Sequence, residues 1–502
     1  MPNLSAATLA QVSPATAVPG YDRSRVTPGI VHIGVGGFHR AHQAVYLDSL
    51  LALDPAARTF GICGVNLLPQ DRAIVDVMND QDTLYTVLVR NPDGSRHARV
   101  VGSIVEHLFA PDDPERVLAR MSDAGVRIVS LTITEGGYFY RPADDSVDLR
   151  APGLRHDLQH PDDPRTAFGY LVAALRRRRA AGTTPFTVLS CDNVHGNGDI
   201  TRRVVTALAT GQDPALGAWV AEHVAFPNSM VDRITPRTGD EDRAEVTALT
   251  GLVDRWPVTC EPFTQWVLED RFPAGRPAWE SVGAQLVDDV RPYELRKLRL
   301  LNAGHLTLAY PGRLLGHRFG HQSCTDPAVR RLLQAYHAEA VTTMSELPAA
   351  ETSAYCDTVV ERFSNPQIFD TTDRLTTNSS ASLPVFLLPV VRDLLDAARS
   401  ATAAIAVVAA WARFLEGVDD HGHRYRVDDP SAVELQARAA RHDEDLLAVV
   451  RDNALFDGLA GRPGFEEPYR TALGLLRSRG TRAGLDAVTA SQPLTALAAD
   501  HG

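Results

Sequence analysis

A glycine-rich turn between an apolar run and an amphipathic run most constrains how this chain folds. From Gly29 the sequence reads G-I-V-H-I-G-V-G-G-F-H-R-A-H-Q-A-V-Y-L-D-S-L-L. The apolar run predicts a buried strand, the glycines a tight turn, and the remainder a helix. Gly34 and Gly36 fill the first two glycine positions of G-x-G-x-x-G, whereas His39 fills the third. The pattern predicts a βα unit with a phosphate-binding turn; a tight turn without a ligand is the alternative.

A turn of this kind lets the backbone approach a pyrophosphate, whose charge is favoured at a helix N-terminus. An acid after the second strand, predicted at 60–65, would contact the adenosine ribose and favour NAD. Asp71 is the nearest acid, but Arg72 follows it, so NADP stays open. Glu135, in T-E-G-G-Y, follows a later strand. The predicted cofactor residues are Gly34, Gly36, Gly37, Phe38, His39, Arg40, Asp71 and Glu135.

The remaining pattern divides the chain into an α/β part and a helical part. Runs at 84–90 and 97–105 flank N-P-D-G-S and predict a β-hairpin. Two further strands are predicted at 126–134 and 186–192. Beyond about residue 290, alanine-, leucine- and arginine-rich helical patterns dominate. We predict an α/β fold: a Rossmann-type domain over 1–289, then a mostly α-helical domain over 290–502.

Composition excludes several classes of function. The net charge of −12 and the lack of a basic stripe argue against nucleic-acid binding. No uninterrupted apolar run approaches 18 residues, so no membrane span is expected. Five scattered cysteines form no C-x-x-C pair, and H-R-A-H (39–42) and D-D-H-G-H (419–423) are interpreted as a cofactor turn and a solvated loop, so we expect no metal. A cytoplasmic protein that acts on a small molecule, as a monomer or weak oligomer, is the resulting expectation.

The segment K-L-R-L-L-N-A-G-H (297–305) carries the most distinctive polar residues. On one α-helix, at about 100° per residue, Glu294, Lys297, Asn302 and His305 would fall within a sector of about 140°. A lysine that loses solvent can have its pKa lowered towards neutrality and accept a hydroxyl proton. An amide and an imidazole could hold the reacting oxygen. The alternative is a solvated polar helix face.

Several motifs together carry a resemblance to a known family. They are G-V-G-G-F-H-R-A-H-Q (34–43), S-L-T-I-T-E (130–135), S-C-D-N (190–193), F-P-N-S-M-V-D-R-I-T-P (226–236) and the lysine segment. The chain resembles the mannitol dehydrogenase family over about residues 25 to 480. The resemblance implies a Rossmann domain followed by a helical domain. It also implies metal-independent hydride transfer between a nicotinamide cofactor and a secondary alcohol or ketone.

The resemblance also implies roles for individual residues. Lys297 would be the general base, and Asn302 and His305 would hold the reacting oxygen. Asn193 would be a second amide donor to that oxygen. The carboxylate of Glu294 would pass the proton towards solvent. Two further residues, Asp232 and Arg374, would bind distal hydroxyls of the substrate.

Two positions depart from the pattern of the family. N-S-S-A-S-L-P (378–384) stands where the family commonly has D-G-S-x-K-x-P, so Ser382 replaces a lysine that contacts the substrate. Gly136 replaces the lysine of T-E-K-G-Y. Two missing lysines weaken the case for an anionic substrate. We predict an NAD(P)-dependent enzyme that interconverts D-mannitol and D-fructose; fructuronate reductase, arabinitol dehydrogenase and a catalytically silent nucleotide-binding sensor are the alternatives.

Overall fold

The structure is a computed structural model that describes residues 1–141 and 145–490. Its internal contacts divide the chain into two units, Met1–Arg291 and Pro292–Gly502. Residues 491–502, which the sequence places in the helical domain, lie outside the described residues.

The first unit contains the strands of the described chain. They are β1 (Pro28–Ile33), β2 (Gly61–Asn66), β3 (Tyr85–Arg90), β4 (Arg96–Val101), β5 (Ile104–Phe109), β6 (Ile128–Leu131), β7 (Tyr140–Arg141), β8 (Ser146–Val147), β9 (Thr187–Ser190), β10 (Ser229–Asp232), β11 (Val258–Cys260), β12 (Gln265–Glu269) and β13 (Gln285–Val287). Its helices are α1 (Gly37–Ala41), α2 (Gln43–Leu53), α3 (Arg72–Asp80), α4 (Pro114–Ser122), α5 (Pro152–Gln159), α6 (Ala167–Ala180), α7 (Asn197–Gln212), α8 (Pro214–His223) and α9 (Asp240–Thr250).

A five-stranded parallel sheet, in the order β5-β2-β1-β6-β9, forms the centre of this unit. The chain builds outwards from β1 through β2 to β5, then returns to the other side of β1 with β6. This reversal is a topological switch point, and ligands of open α/β sheets bind outside the carboxyl ends of the strands there. The buried runs of β1 and β6 explain why both strands are almost wholly apolar. The predicted Rossmann-type fold is confirmed.

The predicted hairpin is confirmed in part. β3 and β4 pair antiparallel from Tyr85 with Val101 to Arg90 with Arg96. The expectation of one strand over 97–105 is wrong, because the chain turns at Gly102 and Ser103. The Gly102 N–H donates to Asp48 Oδ1 at 2.9 Å, and the Ser103 hydroxyl donates to the Ala44 carbonyl at 2.7 Å. The residues that follow form β5 at the edge of the parallel sheet.

The second unit is helical, as expected. Its helices are α10 (Arg291–Arg296), α11 (Ala303–Leu314), α12 (Gly320–Thr325), α13 (Pro327–Val341), α14 (Ala349–Phe363), α15 (Thr372–Thr376), α16 (Ser379–Phe386), α17 (Leu388–Asp396), α18 (Thr402–Phe414), α19 (Ala432–Ala439), α20 (Asn453–Phe456), α21 (Glu466–Arg479) and α22 (Thr481–Ala490). Buried residues on every side of α18, from Ala403 to Phe414, place this helix in the core, where it packs against α11, α13 and α21.

The lysine segment is not the continuous α-helix that we expected. Residues Lys297–Asn302 form a π-helical turn between α10 and α11, and the Ala303 N–H donates to the Leu298 carbonyl, five residues back. We call Lys297–Asn302 the π segment. An i→i+5 bond widens the turn by one residue, so a prediction based on 100° per residue misplaces these side chains.

Candidate active site

The glycine turn lies at the switch point of the parallel sheet, directly after β1. Gly34 has φ of +98°, and a Cβ there would lie 2.1 Å from the Thr132 carbonyl oxygen, so only glycine fits. Gly36 is different: it is exposed, and a Cβ at this position would have the Gly34 oxygen as its nearest atom, at 3.9 Å. Gly34 therefore shapes the turn, and Gly36 leaves its outer side open. This arrangement fits a ligand that approaches the backbone at the start of α1.

The side chains of His39 and Arg40 are buried behind the turn. The His39 ring stacks on His32 with 3.4 Å between centroids, and burial lowers the pKa of both imidazoles, that of His32 to about 3. The Arg40 guanidinium donates to the carbonyls of Gly36 and Trp256, and burial lowers its pKa to about 10. Arg40 thus supports the backbone of the turn from inside the unit, and His39 packs against β1.

Asp71 lies at the carboxyl end of β2, where the sequence placed the residue that contacts the adenosine ribose. It is half-buried, and its Oδ2 accepts a hydrogen bond from Asn66 Nδ2 at 3.0 Å. The neighbouring Arg72 forms an ion pair with Asp112 and stacks over the Phe109 ring at 4.3 Å. Asp71, which the sequence predicts to contact the ribose, therefore has Asn66 as a hydrogen-bond partner, while the adjacent Arg72 is held by another carboxylate.

The carboxyl ends of β6 and β9 are joined by Asp192. Its carboxylate accepts from the Ile133 and Thr134 N–H groups at 2.9 and 2.8 Å, and from the Tyr138 hydroxyl at 2.7 Å. Burial raises the pKa of this carboxyl, although the three hydrogen bonds that it accepts lower it. β6 and β9 are shorter than expected at both ends, and at the carboxyl end of β6 the Asp192 carboxylate accepts from the N–H groups of Ile133 and Thr134. Asn193 and Glu135 follow directly and are exposed.

Asp232 is the last residue of β10 and is buried. Arg233 beside it is also buried, and its guanidinium donates to the carbonyls of Ala41 at 2.6 Å and Glu261 at 3.1 and 3.0 Å. Arg233 thus connects the end of α1 to the loop after β11.

In the second unit, the π segment carries a buried lysine and a buried amide donor. Lys297 and Glu294 are 8% and 5% exposed. Within the part of the chain that the structure describes, Asn302 Nδ2 is buried without a hydrogen-bond partner. His305 is half-buried and lies against Phe363, with 4.4 Å between ring centroids. A buried N–H without an acceptor is costly, so Asn302 Nδ2 is a donor with unused hydrogen-bonding capacity in this region.

One signal in the sequence was missed. Of the 50 lysine and arginine residues, Lys297 is the only lysine. Arginine serves everywhere else as the cation of this chain. Arginine stays protonated in proteins, whereas a lysine can give up its proton and act as a base. A solitary, buried lysine is therefore a candidate for a chemical role that arginine cannot perform.

Arg374, which is predicted to bind a distal hydroxyl, and Ser382, which replaces a lysine of the family, lie on helices that pack beside the lysine region. α15, which carries Arg374, packs against α11, and α16, which carries Ser382, packs against the π segment and α11. Arg374 is exposed, and its guanidinium is held by Asp370, which raises the pKa of the arginine. Ser382 is half-buried. At Gly136, in the first unit, a Cβ would meet no described atom within 4 Å. Steric hindrance at the Cβ therefore does not explain why this chain has glycine where the family has lysine.

Residues 1–141 and 145–490 contain neither a cluster suited to a metal ion nor a helix suited to span a membrane. Histidine, cysteine and acidic side chains form no group of three or more suited to a metal ion. No helix in these ranges is long and apolar enough to span a bilayer.

Comparison with known proteins agrees with this geometry. Residues 28–281 match the mannitol dehydrogenase Rossmann domain, and 289–476 match the mannitol dehydrogenase C-terminal domain. The mannitol 2-dehydrogenase of Pyricularia oryzae is 44% identical over 471 residues, which cover 92% of this chain and 93% of that protein.

Two solved structures are also similar to this chain. One is Pseudomonas fluorescens mannitol 2-dehydrogenase in a ternary complex with NAD and D-mannitol, with a TM-score of 0.87 and 40% identity over 98% of this chain and all of that one. The other is a D-sorbitol dehydrogenase in substrate-free form, with a TM-score of 0.89 and 35% identity over 96% of this chain and all of that one.

The parallel sheet, its switch point and the glycine turn define the first unit as a Rossmann-type domain, the class of fold that binds dinucleotides. A helical C-terminal domain follows it. The chain belongs to the mannitol dehydrogenase family.

Proposed function

We propose that this protein is an NAD-dependent polyol dehydrogenase that interconverts D-mannitol and D-fructose, with Lys297 as its general base. The observation that carries the proposal is that the only lysine of the chain is buried on a π-helical turn, five residues before a buried amide donor. The family relatives named mannitol 2-dehydrogenase support the substrate, and the ternary complex supports both substrate and cofactor.

In alcohol oxidation, the substrate carbon loses a hydride and its hydroxyl loses a proton. The neutral amine of Lys297 accepts that proton. Asn302 donates through Nδ2 to the same oxygen and stabilises the negative charge that develops on it, and His305 and Asn193 are proposed as further donors. Glu294 then takes the proton from the lysine and passes it towards solvent. In the reverse direction the protonated lysine returns the proton to the ketone oxygen.

The cofactor residues of the first unit fit a dinucleotide. Gly36 leaves the backbone open at the N-terminus of α1, where N–H groups favour a pyrophosphate. Asp71 would accept from the adenosine ribose, and Phe38 and Glu135 are proposed contacts at the turn and the β6 end. Bound NAD supplies the hydride acceptor. Asp232 and Arg374 are proposed to bind distal hydroxyls.

A second polyol is the main alternative, because the chain is also similar to a D-sorbitol dehydrogenase. Fructuronate is less well supported, since Ser382 and Gly136 carry no charge where the family commonly has lysines. We expect a monomer or weak oligomer, which light scattering at micromolar concentration would test.

The test is a spectrophotometric assay at the reduced-nicotinamide band. Purified protein is mixed with NAD or NADP and with mannitol, sorbitol or arabinitol, and with NADH and fructose or fructuronate in reverse. We expect NAD with mannitol to give the highest kcat/KM. Turnover of fructuronate alone would identify the protein as a fructuronate reductase instead. Cofactor binding without turnover of any substrate would favour the alternative of a catalytically silent nucleotide-binding sensor.

A further inference from the structure

The π segment needs more support than an α-helical turn, because its wider ring is a less common backbone state. The Ala303 N–H donates five residues back, to the Leu298 carbonyl. Just as residues four apart are neighbours on an α-helix, this bonding brings residues five apart onto one face. Lys297 and Asn302 have that spacing. In a regular α-helix the same two residues would lie about 140° apart.

Two neighbouring side chains of α13 bind the next two carbonyls of this segment. The Tyr336 hydroxyl donates to the Arg299 carbonyl at 2.7 Å. The His337 imidazole bonds through Nε2 to the Leu300 carbonyl at 3.0 Å. Both side chains are buried. These bonds come from a helix more than thirty residues away in sequence, so they fix the π segment from outside.

The protonation state of His337 suits it to donate a hydrogen bond to the Leu300 carbonyl. A carbonyl oxygen only accepts, so Nε2 must carry the proton and Nδ1 must lack one in the neutral ring. Nδ1 is buried, and no described residue hydrogen bonds to it. Burial lowers the pKa of His337 to about 4, which keeps the ring neutral at neutral pH. A Cβ at Gly304 would lie at ordinary contact distance from His337 Nε2, 3.5 Å, so the tight approach at this glycine is that of Phe363 Cε2, at 3.1 Å.

We propose that His337, together with Tyr336, is a positioning residue that holds the π segment in its i→i+5 state and so keeps Lys297 and Asn302 on one face. The proposal deepens the proposed function and rests on it for its effect on catalysis. Neither residue is assigned to contact the substrate. Without their hydrogen bonds the segment can relax towards an α-helix, which rotates the lysine away from the amide.

Substitutions at His337 separate the hydrogen bond from the packing. In H337Q, the amide Nε2 can replace the imidazole Nε2 as donor to the Leu300 carbonyl. H337L removes the donor and puts an apolar side chain in its place. Y336F removes the second donor. Y310F is the matched control, because the Tyr310 hydroxyl is equally buried in this unit but has no hydrogen-bond partner among the described residues. For each variant we would measure kcat, KM, the dissociation constant for NAD and the thermal midpoint.

The solitary lysine gives a readout that does not depend on turnover. Protein labelled with ¹³C at lysine Cε contains one labelled side chain, so a single resonance reports the surroundings of Lys297. We expect H337L to shift this resonance and its titration midpoint and to lower kcat by roughly 10- to 100-fold, the scale of a misplacement by about 1 Å. NAD affinity should stay within about twofold. Y336F should act in the same direction, whereas H337Q and Y310F should resemble the parent.

Several outcomes would overturn the inference. An unmoved lysine resonance with parental kcat in both H337L and Y336F would show that the two donors do not hold the segment. Loss of activity in H337Q equal to that in H337L, at unchanged thermal midpoint, would assign the effect to ring packing. If H337L does not fold, the kcat and the lysine resonance of Y336F and H337Q test the inference instead. If Lys297→Ala keeps full activity, the proposed role of Lys297 as the base fails, but the lysine resonance of H337L and Y336F still tests whether the two donors hold the π segment.

Discussion

Arg72 and Asp112 form a two-point ion pair, in which Nη1 and Nη2 of the guanidinium each donate to one carboxylate oxygen. This hydrogen bonding raises the pKa of Arg72 and lowers that of Asp112. The pair lies beside Asp71, the residue proposed to contact the adenosine ribose. A guanidinium already held by a carboxylate is less able to bind the 2′-phosphate that distinguishes NADP from NAD.

Removal of the carboxylate charge should therefore improve the use of NADP. We expect D112N to raise kcat/KM with NADP by roughly three- to tenfold, as expected for one charge-assisted contact near the surface. kcat/KM with NAD should change by less than about twofold. Initial rates with mannitol and each cofactor at low ionic strength measure both, since salt screens such contacts.

A matched control comes from α4. Glu115 binds Arg177 through the same two-point geometry, at 2.7 and 2.8 Å. Glu115 is exposed, as Asp112 is, and Arg177 is half-buried. E115Q removes a comparable surface ion pair that involves neither Asp71 nor Arg72, and should leave the ratio of NADP to NAD activity unchanged. An equal ratio for D112N and E115Q would show that Asp112 does not influence cofactor choice.

The two glycines of the turn should respond differently to the same substitution. Gly36→Ala meets its nearest atom at 3.9 Å and keeps a φ of −96°, so its fold should survive. The added methyl group would lie on the side proposed for the pyrophosphate, and we expect the NAD dissociation constant to rise at least about tenfold. Gly34→Ala combines φ of +98° with a contact of 2.1 Å, and should lower the free energy of unfolding by about 2 kcal/mol or more.

Fluorescence titration with NADH and urea unfolding distinguish these effects. For Gly36→Ala we expect weak binding with a parental urea midpoint, and for Gly34→Ala a lowered midpoint. Parental NADH affinity in Gly36→Ala would remove this turn from the proposed cofactor site.

Local patterns in the sequence predicted much of this architecture. The apolar run, glycines and helix around Gly34 follow one another within a few residues, so periodicity and turn chemistry suffice to predict them. The π segment was not predicted, because the side chains that bind its carbonyls and that we propose to hold it, Tyr336 and His337, are distant in sequence and contact it only after folding. The break at Gly102 depends likewise on Asp48. Residue types at the site could be recognised from the sequence, whereas their relative directions depend on tertiary contacts.

Buried histidines should make the first unit sensitive to acid. Burial lowers the pKa of His32 to about 3 and that of His107 to about 4. The unfolded chain therefore binds protons below about pH 6.5 that the folded unit does not bind, so stability is full above about pH 6.5 and is lost as the pH falls towards 4. Four of the five tryptophans lie in this unit, so tryptophan fluorescence in urea follows its unfolding.

His107→Gln isolates one of these groups. The His107 Nε2 atom lies 2.8 Å from Asn66 Oδ1, and a glutamine amide can donate there without titrating. Between about pH 6.5 and 4 we expect the dependence of the unfolding free energy on pH to fall by up to about 1.4 kcal/mol per pH unit. His223→Gln, at an exposed site on α8, is the matched control and should reproduce the parental slope. A parental slope in His107→Gln would contradict neutral burial of this imidazole.

Because Lys297 is the only lysine, its titration can be compared directly with the pH dependence of catalysis. An amine must be neutral to accept a proton, so mannitol oxidation should rise with pH along the deprotonation curve of Lys297, while fructose reduction should fall. Lys297→Ala should lower kcat by roughly 10²- to 10⁴-fold and leave NAD affinity unchanged. The ¹³Cε resonance of Lys297 in the NAD complex and the kinetic profile should share one midpoint. Two midpoints that differ by more than about one pH unit would assign the kinetic group to another residue, and Lys297 would no longer be the base.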